Sequence, residues 1–230
     1  MAKRPVFTTI DNPPYFTDIE TEFVFSPGFS VVQKQKCIDS LHEQYLSKYP
    51  TQKILEISSK SRDELGVKLS AFNLMIEQYN GRKFSVEVAF QSSKVFEQGG
   101  PYKDIRTKTS REAKKDPRLK SSGKLQYFFY GNRRFELSPP TFFYNWLYVN
   151  ALSLHPELSL QVINYDAFTD IEFNPEKSIN CQARSAALFV SLYRKGILDI
   201  ALKDKDSFLN AVYGNIISTP DNTEQLALWD

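Results

Sequence analysis

The sequence predicts an α+β domain that is predominantly helical. Apolar residues recur at helical spacing in segments spread along the whole chain, with short extended segments between them. The chain has 230 residues, of which 41% are hydrophobic and 14% aromatic, and this is enough to bury a sizeable core. We therefore expect one domain with helices and short strands mixed along the chain.

The clearest helices begin at capping residues or end at glycine. Ser30, with Gln33 three positions later, predicts a helix to about Leu46. Ser85 caps a helix from Val86 to about Gln98, because the Gly-Gly-Pro sequence that follows cannot extend it. Further helices are predicted at residues 110 to 116, 141 to 152, 156 to 163, 182 to 195 and 206 to 213.

Strands and irregular segments are predicted between these helices. Residues 53 to 57 indicate a short strand, residues 65 to 73 a loop and strand, and residues 125 to 137 a hairpin that turns at Gly131 and Asn132. Residues 1 to 28 have an irregular pattern, so we expect an extended arm pinned to the core by its aromatic residues. The residues after Pro220 are predicted to form a tail.

Composition excludes several classes of protein. Apolar runs are shorter than the roughly 18 residues that cross a bilayer, and the N-terminus does not resemble a signal peptide, so we expect a cytoplasmic protein with no membrane partner. Glycine-rich phosphate-binding motifs are absent. His42 and His155 are far apart, as are Cys37 and Cys181, so we predict no metal site and two reduced thiols.

Positive charge is concentrated in one segment of a chain whose formal net charge is +2. Residues 103 to 124 contain nine basic and three acidic residues. Two interpretations are open: a solvated face, or a surface that contacts the phosphates of a nucleic acid or a dinucleotide.

The predicted helix from Val86 carries a line of polar residues. Glu87, Gln91 and Lys94 are spaced i, i+4 and i+7, so all three would project from one face of a helix. Such spacing often gives a solvated stripe with a surface ion pair. The apolar residues on the other faces leave the alternative open, a largely buried helix whose polar stripe faces a cavity.

This segment resembles the NADAR (YbiA-like) family. Residues 85 to 96, Ser-Val-Glu-Val-Ala-Phe-Gln-Ser-Ser-Lys-Val-Phe, match the family segment Thr-Ser-Glu-His-Tyr-Phe-Gln-Ala-Gln-Lys-Phe in Glu87, Phe90, Gln91 and Lys94. Residues 69 to 73 are similar to its upstream Phe-Ser-Asn-Phe element, and later similarities extend the resemblance over about residues 65 to 195. The resemblance implies a YbiA-like fold with an N-terminal extension at 1 to 64, a catalytic core at 65 to 200, and a C-terminal helix and tail at 201 to 230.

The second half of the chain departs from the family pattern. The family's Asp-x-Tyr-Trp-Gly element and the glycine-rich loop after it are not reproduced, so either Asp166 or Asp170 could be the matching acid. Together with the N-terminal extension, this altered half resembles the branch of NADAR antitoxins associated with DarT-type toxins.

The resemblance implies an enzyme that hydrolyses an N-glycosidic bond and removes ADP-ribose from guanine in DNA. The implied partners are ADP-ribosylated DNA and a DarT-type toxin, and no cofactor is implied beyond ADP-ribose as product or ligand. Alternatives are an N-glycosidase acting on ribosylamino-pyrimidine intermediates of riboflavin synthesis and a non-catalytic toxin-binding protein. Catalytic roles fall on Glu87, Lys94, Asp170 and Asp166. Substrate-binding roles fall on Phe72, Asn73, Phe90, Gln91, Gly99, Gly100, Asn180, Gln182 and Arg184.

Overall fold

The computed structural model describes residues 1 to 78 and 80 to 217, which form strands and helices alternating along the chain. The strands are β1 Ala2–Thr9, β2 Phe16–Phe23, β3 Ile54–Glu56, β4 Met75–Glu77, β5 Lys83–Ser85, β6 Lys94–Phe96, β7 Leu125–Tyr130, β8 Arg133–Phe135 and β9 Ala167–Thr169. The α-helices are α1 Val31–Lys48, α2 Glu64–Lys68, α3 Val86–Ser92, α4 Ser110–Lys114, α5 Arg118–Ser121, α6 Phe142–Ser153, α7 Pro156–Val162, α8 Gln182–Arg194, α9 Leu198–Leu202 and α10 Lys205–Ile217. A 3-10 helix spans Lys103–Thr107.

A four-stranded sheet with the order β2-β1-β9-β3 separates two apolar clusters. Strand β1 is antiparallel to β2 and β9, whereas β3 runs parallel to β9. Alternate residues point to opposite faces, so Val6 and Ala167 pack beneath α1 while Phe7 and Phe168 join the larger cluster formed with α6 and α8. The sheet thus carries helices on both faces.

The prediction of an irregular N-terminal arm is wrong. Residues 2 to 23 form a hairpin with continuous register from Ala2 opposite Phe23 to Thr9 opposite Phe16. The predicted turn around Pro13 is the link between its strands, and Lys3 pairs with Glu20 across the exposed face at 2.7 Å. Partnership with β9 makes the hairpin part of the sheet, which a local pattern does not reveal.

The predicted strand within residues 65 to 73 is also wrong. Asp63 caps α2 by accepting the backbone N–H of Leu65 at 2.8 Å, and the N–H of Leu69 closes the helix on the Leu65 carbonyl at 2.9 Å. A side-chain cap therefore decides the local structure in favour of a short helix followed by a turn.

Helix α3 begins at Ser85 as predicted but ends at Ser92, well before Gln98. The hydroxyls of Ser92 and Ser93 both donate to the Ala89 carbonyl, at 3.1 and 2.7 Å, and occupy the acceptor that continued helix would need. The chain then turns into β6, where Lys94 pairs with Phe128 of β7. The predicted helical position of Lys94 is therefore wrong.

Other elements follow the sequence closely. Ser30 accepts the N–H of Gln33 and begins α1, and the hairpin between β7 and β8 turns at Gly131 and Asn132, which both have positive φ. The α+β class is confirmed. Of the residues that the structure describes, 43% are helical, so the prediction of a predominantly helical domain is not confirmed.

The predicted boundaries at residues 64 and 200 stay predictions, and the predicted tail lies outside the described residues. Among the residues that the structure describes, each helix is too short or too polar to cross a bilayer. Cys37 and Cys181 are free thiols buried in different apolar clusters.

Candidate functional site

A cleft of about 960 Å³ opens where α3, the turn after α2 and the segment after β9 meet. We call the side formed by Glu87, Phe90, Gln91 and Lys94 the helix wall, and the side formed by Asp170, Asn180 and Gln182 the sheet wall. Other lining residues include Ser70, Phe72, Asn73, Arg111, Lys114, Lys115, Tyr144 and Lys177. The three residues of the predicted polar stripe all line this cleft, although Lys94 lies on β6 and not on the helix.

Helix α3 buries its polar pair. Glu87 and Gln91 are 6% and 7% exposed, and the Gln91 amide donates to Glu87 Oε1 at 2.9 Å. The other residues of α3 are buried as well, because the helix packs between the apolar cluster and the cleft. A solvated stripe is excluded for these two side chains.

Lys94 reaches the same cleft from β6. Its Nζ lies 5.0 Å from the centre of the Phe90 ring, which itself packs on Tyr144 with the ring centres 5.2 Å apart. Burial lowers the pKa of Lys94 to about 8, against an opposing effect of Glu87, while Lys114 lowers it further. At neutral pH roughly a tenth of such amines are uncharged and nucleophilic.

Gly99 and Gly100 do not line the cleft. A β-carbon on Gly100 would lie 2.4 Å from the backbone oxygen of Lys94, and its φ of +91° favours glycine. The loop therefore packs against the backbone of Lys94, and Gly100 helps to fix the position of β6, the strand that carries the Lys94 amine.

Phe72 and Asn73 lie in a turn at the cleft mouth. The Phe72 carbonyl accepts the Ser110 hydroxyl at 2.9 Å, and the Phe72 ring lies 5.3 Å from Lys114 Nζ. The Asn73 amide donates to the Val67 carbonyl at 2.9 Å. The turn is thus fixed to α2 and α4 and presents an aromatic ring beside a cation.

Asp170 is the acid of the sheet wall. It directly follows β9, and its Oδ1 accepts the backbone N–H groups of Glu172 and Phe173 at 3.0 and 3.2 Å. Burial raises the pKa of Asp170 well above its usual range, and the nearby Glu56 raises it further. Asp170 can therefore hold a proton at neutral pH.

Asp166 lies at the opposite end of β9 and outside the cleft. Its carboxylate accepts the Lys53 N–H at 2.9 Å and pairs with Arg194 at 3.1 Å. Arg184 also lies outside the lining, with its guanidinium over the rings of Phe7 and Phe16. Asp170 therefore lines the cleft opposite the helix wall, whereas Asp166 does not line it.

Gln182 is in the cleft lining, yet its side chain is already engaged. Its Oε1 accepts the Ala71 N–H at 2.6 Å, and its Nε2 donates to the Ile57 carbonyl at 2.6 Å. It joins the turn at the cleft mouth to the end of β3, so its evident role is to hold the two together.

Three buried polar atoms of the lining have no hydrogen-bond partner among the described residues. They are Ser70 Oγ, Gln91 Oε1 and Asn180 Oδ1. Buried polar atoms are nearly always paired, so three in one cleft indicate a polar ligand with hydroxyl or amine donors.

The basic segment divides into distinct surfaces. Arg111, Lys114 and Lys115 line the cleft, and we call them the cationic rim. Lys108 and Arg118 instead pair with the buried Asp116 at 2.6 and 2.9 Å. The segment therefore contains both a structural ion-pair cluster and a set of cations at the cleft.

Ser70 and Tyr144 are lining residues that were not predicted as site residues. Ser70 lies in the matched turn, where its position beside Phe72 was a usable signal. Tyr144 lies in the apolar helix α6 and carries no local signal that separates it from core residues.

Comparison with known proteins gives one match to a family. A family model described as DarT1-associated NADAR antitoxin matches residues 2–222. No curated protein matches the chain.

Proposed function

Because the chain belongs to the family of DarT1-associated NADAR antitoxins, we propose that it removes ADP-ribose from guanine in DNA and so reverses the product of a DarT-type toxin. The observation that carries the proposal is Lys94, an amine with a pKa lowered to about 8, which lines one cleft together with the carboxyl groups of Glu87 and Asp170. This set suits covalent cleavage of an N-glycosidic bond.

The unpaired atoms of the cleft support a sugar ligand. Gln91 Oε1 and Asn180 Oδ1 can each accept a ribose hydroxyl, and Ser70 Oγ can accept or donate. Phe72 offers a ring for a base, and the volume is within the range of ligand sites.

The covalent step begins with opening of the ribose. The bond between C1″ and the ring oxygen breaks, the oxygen takes a proton, and the guanine nitrogen shares its lone pair to give an iminium. The Lys94 amine adds to C1″, a proton moves from its nitrogen to the guanine nitrogen, and the bond from C1″ to guanine breaks. The sugar is then held on Lys94 as an iminium.

Water completes the cycle. It adds to C1″ and loses one proton to Glu87, and its second proton passes to the Lys94 nitrogen as the bond from C1″ to Lys94 breaks. The amine leaves neutral, and ADP-ribose remains as an aldehyde that recloses in the cleft. Water is the only co-reactant, so the reaction needs no cofactor, oxidant or reductant. ADP-ribose is the product.

The two carboxyl groups divide the proton transfers. Asp170 gives the proton that the ring oxygen takes, and it takes one back from the attacking hydroxyl when the sugar recloses in the cleft. Glu87, held by Gln91, moves the proton between the two nitrogens, then accepts one from water and gives it to the carbonyl oxygen when the sugar recloses.

The cationic rim supports a nucleic-acid substrate. Arg111 and Lys115 are exposed, and Lys114 lies beside Phe72 at the entrance to the cleft. Their charges are placed to contact the pyrophosphate of ADP-ribose or the phosphates beside the modified base.

Borohydride trapping tests the proposal. Reduction during turnover of ADP-ribosylated DNA should convert the iminium into a stable amine and add one ADP-ribose mass to the peptide that contains Lys94. Lys94→Ala should form no adduct and lose at least about a thousandfold in the rate of ADP-ribose release.

Lys94→Arg is the matched control, because it keeps a positive charge but has no nucleophilic amine at neutral pH. It should also form no adduct. Full activity in Lys94→Ala would overturn the proposal, and protection from the toxin by an inactive Lys94→Ala protein would favour binding without chemistry.

A further inference from the structure

A second carboxyl group lies behind the sheet wall. Glu56 is the last residue of β3, and its side chain is buried, with 2% of the residue exposed. Parallel pairing with β9 puts Glu56 opposite Thr169, the residue before Asp170. Glu56 does not itself line the cleft.

Glu56 holds the backbone on both sides of Asp170. The Thr169 hydroxyl donates to Glu56 Oε2 at 2.5 Å, and the Ile171 N–H donates to Glu56 Oε1 at 2.8 Å. Because these two residues flank Asp170, their bonds to one carboxylate restrict the direction in which the Asp170 side chain leaves the backbone.

Helix α1 extends the network. His42 Nε2 lies 2.8 Å from Thr169 Oγ1. The Thr169 hydroxyl donates its only proton to Glu56, so His42 must donate to Thr169. Burial lowers the pKa of His42 to about 4, against the effect of Asp39, so the ring supplies this bond in its neutral form at pH 7.

Hydrogen bonding alone does not require a carboxylate at position 56. A glutamine could accept from Ile171 and donate to Thr169 without placing a charge in the interior. A buried carboxyl group next to a second one is costly, and such pairs retain a proton. Burial raises the pKa of Glu56 as well, but the hydrogen bonds that it accepts from Ser58, Thr169 and Ile171 act in the opposite direction. These bonds favour the arrangement in which Glu56 is ionised and Asp170 carries the proton.

We propose that Glu56 is a positioning residue that directs the Asp170 carboxyl into the cleft and keeps it in the proton-bearing form used in catalysis. This inference rests on the proposed function, because it gives Asp170 the part of an acid. It also makes β3 and α1 part of the machinery that prepares the site.

Several other groups interact with the Asp170 carboxyl and affect its protonation. Its own segment contributes Glu172, which adds a like charge, while the Gln182 amide on α8 acts in the opposite direction. Tyr144 and Tyr148 of α6 and Cys181 also interact with its charge. Burial raises the pKa values of all three of these groups, so they are neutral at pH 7.

The test is the pH profile of kcat/KM for Glu56→Gln in the full chain, with ADP-ribosylated DNA as substrate. Removing a negative charge beside Asp170 favours ionisation of Asp170, so the alkaline limb should move to lower pH by about one unit or more. Glu172→Gln is the control: its side chain is exposed, and its shift should be less than half as large.

A profile that falls equally at all pH values without moving would show a purely structural role and overturn the inference. A second measurement does not depend on activity, so it tests the inference even where Glu56→Gln is inactive or the proposed function is wrong. Carbon NMR of the Asp170 carboxyl, assigned by comparison with Asp170→Asn, should titrate at lower pH in Glu56→Gln than in the original chain. Identical titration in the two proteins would also overturn it.

Discussion

The helix wall and the sheet wall face each other across one cleft but are built in different ways. The helix wall draws Glu87, Gln91 and Lys94 from eight consecutive residues, and its internal hydrogen bond joins neighbours on one helix. The sheet wall holds Asp170 through Glu56, a residue more than a hundred positions earlier in the chain.

The difference shows where function and stability are coupled. The only hydrogen bond that the Gln91 side chain makes among the described residues is to Glu87, and its other polar atom is free for a ligand. Gln182, on the sheet wall, uses both polar atoms to join Ala71 and Ile57. Substitutions on the helix wall should therefore change chemistry, and those on the sheet wall both chemistry and stability.

After the loss expected for Lys94→Ala, the largest effect is expected at the acid of the sheet wall. Asp170→Asn removes the proton donor and should lower kcat/KM for ADP-ribose release about a hundredfold. Steady-state kinetics on ADP-ribosylated DNA checks this. Asp166→Asn is the matched control at the other end of β9 and should stay within about twofold, since Asp166 lies outside the cleft. Equal losses in both variants would contradict the assignment of Asp170.

A smaller effect is expected when the two glutamines are compared. Gln182→Leu leaves the Ala71 N–H and the Ile57 carbonyl unpaired in the interior, so the free energy of unfolding should fall by about 2 to 4 kcal/mol. Gln91→Leu should cost about 1 kcal/mol or less, because it removes one hydrogen bond from side chains that line an open cleft, where water can replace it. Urea denaturation measures the free energy of unfolding of both variants. Similar losses in the two would contradict the claim that the sheet wall contributes more to stability than the helix wall.

The smallest effect is expected at the cationic rim. Replacing Arg111, Lys114 and Lys115 by alanine should weaken binding of an unmodified single-stranded oligonucleotide about tenfold and lower the salt-dependence slope by about 2. The matched control replaces Lys103, Lys120 and Lys124, which are exposed cations of the same segment outside the cleft lining. Fluorescence anisotropy at several salt concentrations measures the affinity of both triple variants for the oligonucleotide. Equal losses of affinity would show that net charge alone matters and would contradict a specific role of the cationic rim.

The helix wall could be predicted from sequence because its information is local. The cap at Ser85 and the spacing of Glu87 and Gln91 hold in the structure. The end of the helix was missed because hydroxyl groups of Ser92 and Ser93 compete for one carbonyl, which a hydrophobic period does not register.

The sheet wall could not be predicted in the same way. Sequence left Asp166 and Asp170 as alternatives, and only the pairing of β3 with β9 places one of them in the cleft. Glu56 gave no signal at all, because it lies in a short strand whose partner comes a hundred residues later. Such pairings depend on tertiary contacts that no local window contains.

The contact between His42 and Thr169 bears on how this chain could diverge. The residues assigned to the proposed reaction lie after position 64, whereas His42 and Glu56 lie before it. If His42 and Glu56 adjust Asp170 as proposed, exchange of residues 1 to 64 between relatives would leave the residues of the proposed reaction unchanged. It would alter the pH range in which those residues are active. Adaptation to a more acidic or alkaline cell interior would then require no change in the groups that touch DNA.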